Sequence, residues 1–576
     1  MPDTGASAPA PYTPGVQPLP RRDAYLLLAV LGTGVFLAGL ELMITAVALP
    51  AILADLADWT RLREASWIIN GYLLVYVVTM PVAGRLADLL GARRLFLWAL
   101  VAFTGGSFLA GAAPTLELLI GARLVQAVGG GALIPVATAA ASHLFDGRAR
   151  PRALGVIGAL TFLGMAAGPV LGAAILGAFN PSAAVSRLGL DAAGTLAGLI
   201  EPAWRWVFYV NVPVGIAALA IAWAASSGWE TPRRRGRIDL WGALLFSGFL
   251  AGVLGLLTLL GAQGGGGGAG IDPQVVMLVL LLVAAVAGPA TIVRGLRTRD
   301  PFLDPRLFRS ASFSSAALVS LLTGYGFATA IVGGAVFVDR VLYGGPDEQR
   351  LALGALAGAT ALGALVSGFA VRRLSLTWVT LIGLGASIAG LVQMAGWTPA
   401  TDIGSAALSL ALFGAGFGLT VTPRSTAAVE AVSVEAYGIA SSTVTVARMV
   451  GMAVGLAILT AYGSTTIDHL YDQVYATPDA YLQFIPESLQ DRPLRDGLVV
   501  EALEQWAAGE AARIMVGIFL VAAAVTAAAI PPSLLLARGR RLLPDDAAGH
   551  SLPVTVGDAP AGRSGPHPGE RSGGTG

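Results

Sequence analysis

Long apolar stretches recur along the whole chain, and each is about twenty residues in length. A helix of that length rises about 30 Å, which is the thickness of the hydrocarbon layer of a membrane. Lipid offers no hydrogen-bonding partners, so the backbone of each stretch must satisfy its own polar groups, as a helix does. The sequence therefore predicts an all-α membrane protein with about fourteen transmembrane helices.

The composition argues against several classes of function. Charged residues make up 12% of the chain, against about 25% in soluble domains. The net charge of +1 gives no reason to expect binding to nucleic acid. The chain has no cysteine, and its 36 basic residues are all arginine. A nucleotide-binding P-loop and a Schiff-base enzyme each need a lysine, so the chain is not expected to be its own ATPase; if it pumps, the energy must come from an ion gradient or a partner. Enzyme chemistry would need convergent His, Cys, Lys or several carboxylates within the apolar stretches, so we expect no enzyme activity and no cofactor.

Arginines cluster in alternate loops between the apolar stretches, beginning with Arg21 and Arg22 before the first. Because positively charged loops stay on the cytoplasmic side, this alternation predicts that both termini are cytoplasmic. The ends of the chain are rich in proline and glycine and are expected to be disordered. We divide the chain into a tail at 1–22, an N-terminal six-helix bundle at 23–230, two inserted helices at 231–300, a C-terminal six-helix bundle at 301–543 and a second tail at 544–576.

The loop after the second apolar stretch has the sequence GRLADLLGARR. Two glycines permit a tight turn, an aspartate can face a helix N-terminus, and two arginines hold the loop in the cytoplasm. A shorter copy, GFAVRR, occupies residues 368–373 at the matching place in the second half. A plain arginine anchor explains the charges but not the repeated glycine, so we expect an internally duplicated transporter. The candidate residues of the first loop are Gly84, Asp88, Gly91, Arg93 and Arg94.

Glycines at every fourth position line one face of the fifth stretch and let a neighbouring backbone approach closely, while Pro169 bends the helix. Together with the GRLADLLGARR loop, this segment resembles the antiporter motif of the fourteen-spanner drug:proton antiporters of the major facilitator superfamily. The resemblance extends over nearly the whole chain and implies a major facilitator fold in the bacterial inner membrane. The glycines are Gly164, Gly168 and Gly172, and further matches are Trp67, Tyr72, RLVQAVG at 123–129 and WRWVFYVNVP at 204–213.

Charged side chains within the membrane are costly unless paired or hydrated, so each is a functional candidate. Glu41 lies about 25 Å along the first helix, and the antiparallel fourth helix places Arg123 at a similar depth. Arg448 lies about 16 Å into the thirteenth helix. We predict that Glu41 binds and releases the coupling proton, with movement of Arg123 or Arg448 switching its proton affinity. A static bridge that fixes helix register is the alternative; the related antiporters usually carry Asp at the position of Glu41.

A narrower resemblance, to actinobacterial exporters linked to triacylglyceride export, is carried by residues 438–455 and by the Val338-Asp339 pair. Those exporters work beside a periplasmic lipid-carrier lipoprotein, which implies such a partner here. Apolar residues recur at helical spacing within the outer segment 464–509, so the last two spans are expected to continue outward as amphipathic helices that pack together or form a protective cap. The substrate is then a hydrophobic or amphiphilic drug, or alternatively a lipid. A membrane sensor that transports nothing is the third hypothesis.

Two further charged residues lie near the ends of predicted spans. Asp339 falls at the outer end of span nine, where we expect a solvated loop or an outer gate. Arg424 follows the predicted end of span twelve at residue 422, where we expect a cytoplasmic anchor. The four histidines are scattered along the sequence, so no metal site is expected.

Overall fold

The computed structural model describes ten parts of the chain. For a few helical residues, chiefly 460–475, it describes the backbone alone. The expected tails at 1–22 and 544–576 lie outside the described residues, apart from Arg21 and Arg22, which begin the first helix. The described residues are 21–56, 62–65, 67–147, 149–178, 199–225, 229, 239–261, 273–475, 480–492 and 495–536.

Fourteen helices within these parts are long and apolar enough to cross a membrane, which confirms the predicted number of spans. We number them by span; α6 consists of two consecutive segments. They are α1 (Arg21–Leu56), α2 (Trp67–Leu90), α3 (Ala92–Gly111), α4 (Leu116–Leu144), α5 (Arg150–Ala178), α6 (Ala203–Tyr209 and Asn211–Ala224), α7 (Leu240–Gly261), α8 (Pro273–Arg297), α9 (Ala311–Arg340), α10 (Pro346–Ala370), α11 (Leu376–Met394), α12 (Ile403–Glu430), α13 (Tyr437–Tyr475) and α14 (Gly497–Ala527).

Side chains that accept hydrogen bonds from the first free amides begin several of these helices. Thr115 accepts from the amide of Leu118 at the start of α4, and Asp402 accepts from Ser405 at the start of α12. Ser310 and Ser375 cap α9 and α11 in the same way. Each cap satisfies one of the amides that a helix leaves unpaired at its N-terminus.

The first six and the last six spans pack in the same pattern. Helix α1 packs on α4 and α5 as α9 packs on α12 and α13, and α4 packs on α2 and α3 as α12 packs on α10 and α11. The two sets meet through a matching pair of contacts, α2 with α13 and α10 with α5. This repetition confirms the expected all-α fold of two six-helix bundles and agrees with an internal duplication.

The two inserted helices, α7 and α8, pack on each other, and α7 also contacts α2 and α13. Asp239, directly before α7, accepts hydrogen bonds from the amide of Gly242 at 2.9 Å, from Nε of Arg294 at 2.7 Å and from the amide of Phe302 at 3.3 Å. The buried carboxylate therefore ties the start of α7 to the end of α8 and to the loop that follows it.

Asp239→Asn is expected to lower the thermal stability at neutral pH but not in acid. Burial alone would raise the pKa of Asp239, but the hydrogen bonds from Arg294, Gly242 and Phe302 outweigh it and hold this pKa below its ordinary value. Such a group stabilises the fold above the unfolded-state pKa of about 3.9, and the stabilisation is lost as the pH falls through the folded-state pKa. Melting temperatures of wild type and variant should therefore differ at pH 7 and converge in acid.

A matched control for this measurement is Asp146→Asn, which changes an exposed aspartate and should leave the melting temperature unchanged. Equal melting temperatures for Asp239→Asn and wild type at pH 7 would contradict the stabilising role of the Asp239 carboxylate.

Helix α13 continues to Tyr475 and α14 begins at Gly497, so both extend into the segment 464–509 between the last two spans. At 1.5 Å per residue, the 39 residues of α13 extend about 58 Å, nearly twice the hydrocarbon thickness. Val499 of α14 is fully buried against Tyr481 and Ile485 of the linking segment, and the ring of Trp506 contacts that of Phe484, with centroids 4.4 Å apart and the planes tilted by 39°. Both expected helical extensions are thus present, and the apolar stripe of α14 packs on the link; the side chains of 460–475 in α13 lie outside the described residues. We call this set of side chains the outer cluster.

Candidate functional site

A buried ion pair lies between α1 and α4. The guanidinium of Arg123 donates to Oε1 of Glu41, and the two residues expose 1% and 0% of their surface. The hydroxyl of Thr45 donates to the same carboxylate at 2.8 Å, and Nδ2 of Asn211, from α6, donates to Oε2 at 2.6 Å. The structure therefore brings together the two charged residues that were expected to share a depth, and places them away from lipid.

Arg123 has further contacts that connect the pair to neighbouring helices. Its Nε donates to the carbonyl of Ile68 at 3.2 Å, and its guanidinium carbon lies 4.0 Å from the ring centre of Tyr72, both on α2. Gln126 accepts from Arg123 at 2.6 Å and donates to Ser107 of α3, also at 2.6 Å. Through hydrogen bonds and this ring contact, a change of charge at the pair would be felt by α1, α2, α3, α4 and α6.

Two members of this network, Asn211 and Gln126, are not among the site residues expected from the sequence. Both lie in segments that resemble the drug:proton antiporters, 204–213 and 123–129. The sequence feature that could have identified them is an amide side chain within a predicted span, because a buried amide needs a polar partner, as a buried charge does. Their partners depend on contacts between distant helices, as between Asn211 and Glu41.

The GRLADLLGARR loop joins α2 to α3 and contacts the second set of helices. Gly91 has a φ of 93°, a backbone conformation that favours glycine, so the tight turn is explained. The carboxylate of Asp88 accepts from the amides of Gly438 at 2.7 Å and Ile439 at 2.9 Å, at the start of α13. Asp88 thus faces a helix N-terminus, where a negative charge is favoured. A side chain on Gly84 would collide with the Gly438 carbonyl.

We call the end of the molecule that carries this loop the arginine-rich end; its expected location is the cytoplasm. Here the two sets of helices are in close contact. The hydroxyl of Ser441 in α13 donates to the carbonyl of Pro135 in α4 at 3.0 Å. On the other side, a Cβ on Gly155 of α5 would lie 3.1 Å from the Cα of Gly368 in α10. The structure is therefore closed at the arginine-rich end. Arg93 is partly buried, and the exposed arginines of this end include Arg94 and Arg373.

The glycines of α5 allow it to pack backbone to backbone on α1, the helix that carries Glu41. A Cβ on Gly164 would lie 2.9 Å from the amide nitrogen of Leu40, and one on Gly168 would lie 2.8 Å from the Cβ of Met43. Gly172 continues the contact against Ile44. Pro169 lies within α5 among these glycines. The helix that holds the carboxylate is therefore in tight contact with a helix that reaches the second set.

The remaining charged candidates are placed apart from Glu41. Arg448 is partly buried in α13, and its guanidinium carbon lies 5.5 Å from the ring centre of Phe162. Asp339 is exposed at the end of α9, where it pairs with Arg340 at 3.0 Å and accepts from Gln349 at 3.2 Å.

The expectation that Arg424 is a cytoplasmic anchor is wrong. Helix α12 continues to Glu430 rather than ending near residue 422, so Arg424 is 2% exposed and lies inside the bundle. Its Nε donates to the carbonyl of Thr420 at 3.0 Å, and a second nitrogen donates to the hydroxyl of Thr323 in α9. The small residues after Arg424 pack well in a helix, which hydropathy alone does not reveal.

Comparison with known proteins agrees with this architecture. The sequence model of the Major Facilitator Superfamily matches residues 31–456. A triacylglyceride transporter of Mycolicibacterium hassiacum is 31% identical over 492 residues, covering 82% of this chain and 86% of that protein. A multidrug resistance protein B homolog of Mycobacterium tuberculosis is 28% identical, covering 80% of this chain and 82% of that protein.

Among solved structures, a bacterial homolog of the human lysosomal transporter Spinster shares the fold, with a TM-score of 0.52 and 15% identity over 90% of this chain and 99% of that one. The fourteen spans and the bacterial relatives indicate a multi-pass protein of the bacterial inner membrane. The chain belongs to the Major Facilitator Superfamily.

Proposed function

We propose that the chain is a proton-coupled antiporter that exports hydrophobic or amphiphilic small molecules of the multidrug type. Its family and its named relatives indicate a transporter rather than an enzyme. The observation that supports proton coupling is the fully buried carboxylate of Glu41, whose ionic partner is Arg123. A titratable group held inside a membrane bundle by one charge and a few neutral hydrogen bonds can act as a proton carrier.

Protonation of Glu41 would remove the ionic part of its contact with Arg123. The arginine would then be held only by neutral groups, the carbonyl of Ile68 and the amide of Gln126, and by the ring of Tyr72. Loss of one charge from a buried pair costs about 3–5 kcal/mol. A change of that size alters the ratio of two conformations by about a hundredfold or more.

The packing offers two routes from this pair to the interface between the bundles. Helix α1 is locked to α5 through Gly164 and Gly168, and α5 contacts α10 and α12 of the second set. Helix α2, which carries Ile68 and Tyr72, contacts α13. A rearrangement around Glu41 therefore reaches two helices of the first bundle, α2 and α5, that contact the second, and alternating access follows as the bundles rock.

In the proposed cycle, Glu41 takes up a proton when the molecule is open to the outside and releases it when the arginine-rich end opens. Substrate moves in the opposite direction, from the inner side or leaflet to the outside. The described structure, closed at the arginine-rich end, corresponds to the half of the cycle in which protons enter from the opposite end.

Flux in proteoliposomes with an imposed pH gradient tests the proposal. Fluorescent amphiphilic dyes with cationic, neutral and anionic head groups are tested in vesicles with an acidic lumen. At least one of them should accumulate through molecules whose outer end faces the lumen, and a proton ionophore should stop the accumulation. Uptake that is indifferent to the gradient would contradict proton coupling. Absence of any protein-dependent flux, for dyes and labelled lipids alike, would favour a membrane sensor.

Export of a triacylglyceride-like lipid is the second candidate function. It is favoured by the relative named as a triacylglyceride transporter and by the outward extension of α13 and α14. In this version the extension, with its outer cluster, guides an apolar lipid away from the membrane towards a periplasmic lipid-carrier lipoprotein. A bound acyl chain, detected by mass spectrometry of the purified protein, would support it.

A pair of neighbouring substitutions separates the two candidates. Val499 is fully buried in the outer cluster, whereas Val500 is 41% exposed. Val499→Asp buries a charge and should unfold the cluster, because an unpaired buried carboxylate is very costly. If the extension serves lipid export, this variant should lose about tenfold or more of triacylglyceride transport and keep dye export, and Val500→Asp should keep both. Equal lipid transport by the two variants would argue against a lipid-guiding role.

A further inference from the structure

Two arginines of the second set, Arg424 and Arg448, lie deep in the membrane region. Arg448 is about 16 Å along α13 from its start at Tyr437. Arg424 lies about 9 Å from the end of α12, and its side chain reaches Thr323, which lies about 18 Å into α9. Both guanidinium groups are therefore near the middle of the bundle.

Neither arginine forms an ion pair with a carboxylate among the described residues. The hydrogen bonds of Arg424 go to neutral groups, and Arg448 is close enough to Arg424 for the two positive charges to repel each other. By contrast, the buried Arg123 pairs with Glu41, and the half-buried Arg294 pairs with Asp239. Two like charges inside a membrane protein are costly unless an anion compensates them.

The surroundings of the arginine pair combine aromatic rings with one unused hydroxyl. The guanidinium carbon of Arg424 lies 5.2 Å from the ring centre of Phe417, and that of Arg448 lies 5.5 Å from Phe162. The two rings contact each other, with centroids 5.5 Å apart. Tyr76 lies on α2, which packs on α13, and it is within electrostatic range of the Arg448 guanidinium. Its buried, uncharged hydroxyl has no hydrogen-bond partner among the described residues.

These groups come from both bundles. Tyr76 belongs to α2 and Phe162 to α5, whereas Phe417, Arg424 and Arg448 belong to α12 and α13. A ligand that contacts all of them would therefore touch both bundles at their interface, where the bundles move relative to each other during transport.

We propose that Arg424, Arg448 and Tyr76 bind the anionic head group of an amphiphilic substrate, with the neighbouring phenylalanine rings receiving its apolar part. A carboxylate or phosphate can accept hydrogen bonds from both guanidinium groups and from the tyrosine hydroxyl, and it supplies the missing negative charge. The inference rests on the proposed transport function and narrows its substrate class. The proposed anion site therefore does not include Glu41, the proposed proton carrier.

Equilibrium binding tests the inference without any gradient. Purified protein in nanodiscs of neutral lipid is titrated with three fluorescent amphiphiles that share a twelve-carbon tail and carry a carboxylate, a hydroxyl or an ammonium head. Wild type should bind the carboxylate at least tenfold more tightly than the other two. Arg448→Gln and Arg424→Gln should each weaken carboxylate binding about tenfold or more and leave the hydroxyl probe within twofold.

Three variants serve as controls. Arg448→Lys keeps the charge and should retain most of the preference, and Tyr76→Phe should weaken carboxylate binding by a few fold only. The exposed Arg340→Gln should change nothing. Size-exclusion profiles and melting temperatures show that each variant is folded; if Arg424→Gln is not, the comparison of Arg448→Gln with Arg448→Lys decides.

A second arm distinguishes two sources of the anion. Phosphatidylglycerol should displace the labelled carboxylate if the site binds lipid head groups, and should fail to displace it if the site binds only single-tailed anions. Either result is consistent with an anion-binding site. Equal affinity of wild type for the three heads, or unchanged carboxylate binding in Arg448→Gln, would overturn the inference. Binding with a preference for anions but without gradient-driven flux would sink the proposed function alone.

Discussion

Glu41→Gln is expected to abolish proton-driven export, with the gradient-dependent rate reduced about a hundredfold or more. Glutamine has nearly the shape of glutamate and can keep hydrogen bonds with Thr45 and Asn211, but it cannot titrate and gives Arg123 no ionic partner. The expected size follows from the cost of leaving a buried charge unpaired, about 3–5 kcal/mol. Initial dye uptake into proteoliposomes with an acidic lumen measures the rate.

Two comparisons separate a proton carrier from a static bridge. Exchange of labelled for unlabelled substrate, measured without a gradient, should persist in Glu41→Gln if the residue only carries the proton. Glu41→Asp restores a carboxylate and should regain part of the driven transport, although its shorter side chain reaches Arg123 less well. If exchange and driven uptake fall together while the melting temperature drops, Glu41 is a structural bridge.

Asp88→Ala is expected to open the arginine-rich end. The substitution removes two hydrogen bonds to a charged group, from Gly438 and Ile439, each worth about 1.5–3 kcal/mol. The ratio of open to closed molecules should therefore rise about a hundredfold or more. The natural chain has no cysteine, so a single Ser442→Cys, buried at this contact, reports opening through its rate of reaction with a water-soluble maleimide.

Asp146→Asn is the matched control, because Asp146 lies at the same end of the molecule and is exposed. In this control the labelling rate of the cysteine should equal that of the Ser442→Cys parent. If Asp88→Ala also leaves the labelling rate unchanged, the contact between Asp88 and α13 does not hold this end closed.

The features of this protein that follow from its lipid environment, namely the number of spans and the depth of residues within them, could be predicted from the sequence. Apolar length alone gave the fourteen spans, and helix rise and direction gave the common depth of Glu41 and Arg123. Helix ends were harder to predict, because the apolar stretch in the sequence ends several residues before the helix ends. For that reason Arg424 was expected in a loop but lies within α12.

Contacts between distant helices could not be predicted. Asp88 was expected to face a helix N-terminus, but the helix is α13, some 350 positions further along the chain. Asn211 meets Glu41 across a separation of 170 positions. Such partners depend on how whole bundles pack, and no local pattern in the sequence encodes that packing.

Simultaneous recording of substrate and proton movement in the same proteoliposomes tests proton-coupled exchange most directly. A dye trapped in the lumen reports pH while a labelled substrate reports transport. Proton-coupled antiport predicts that adding substrate to wild-type vesicles starts a proton flux in the opposite direction, and that Glu41→Gln vesicles show no such flux even while they exchange substrate. Proton flux of equal size in both proteins, or substrate transport with no accompanying protons in wild type, would contradict it.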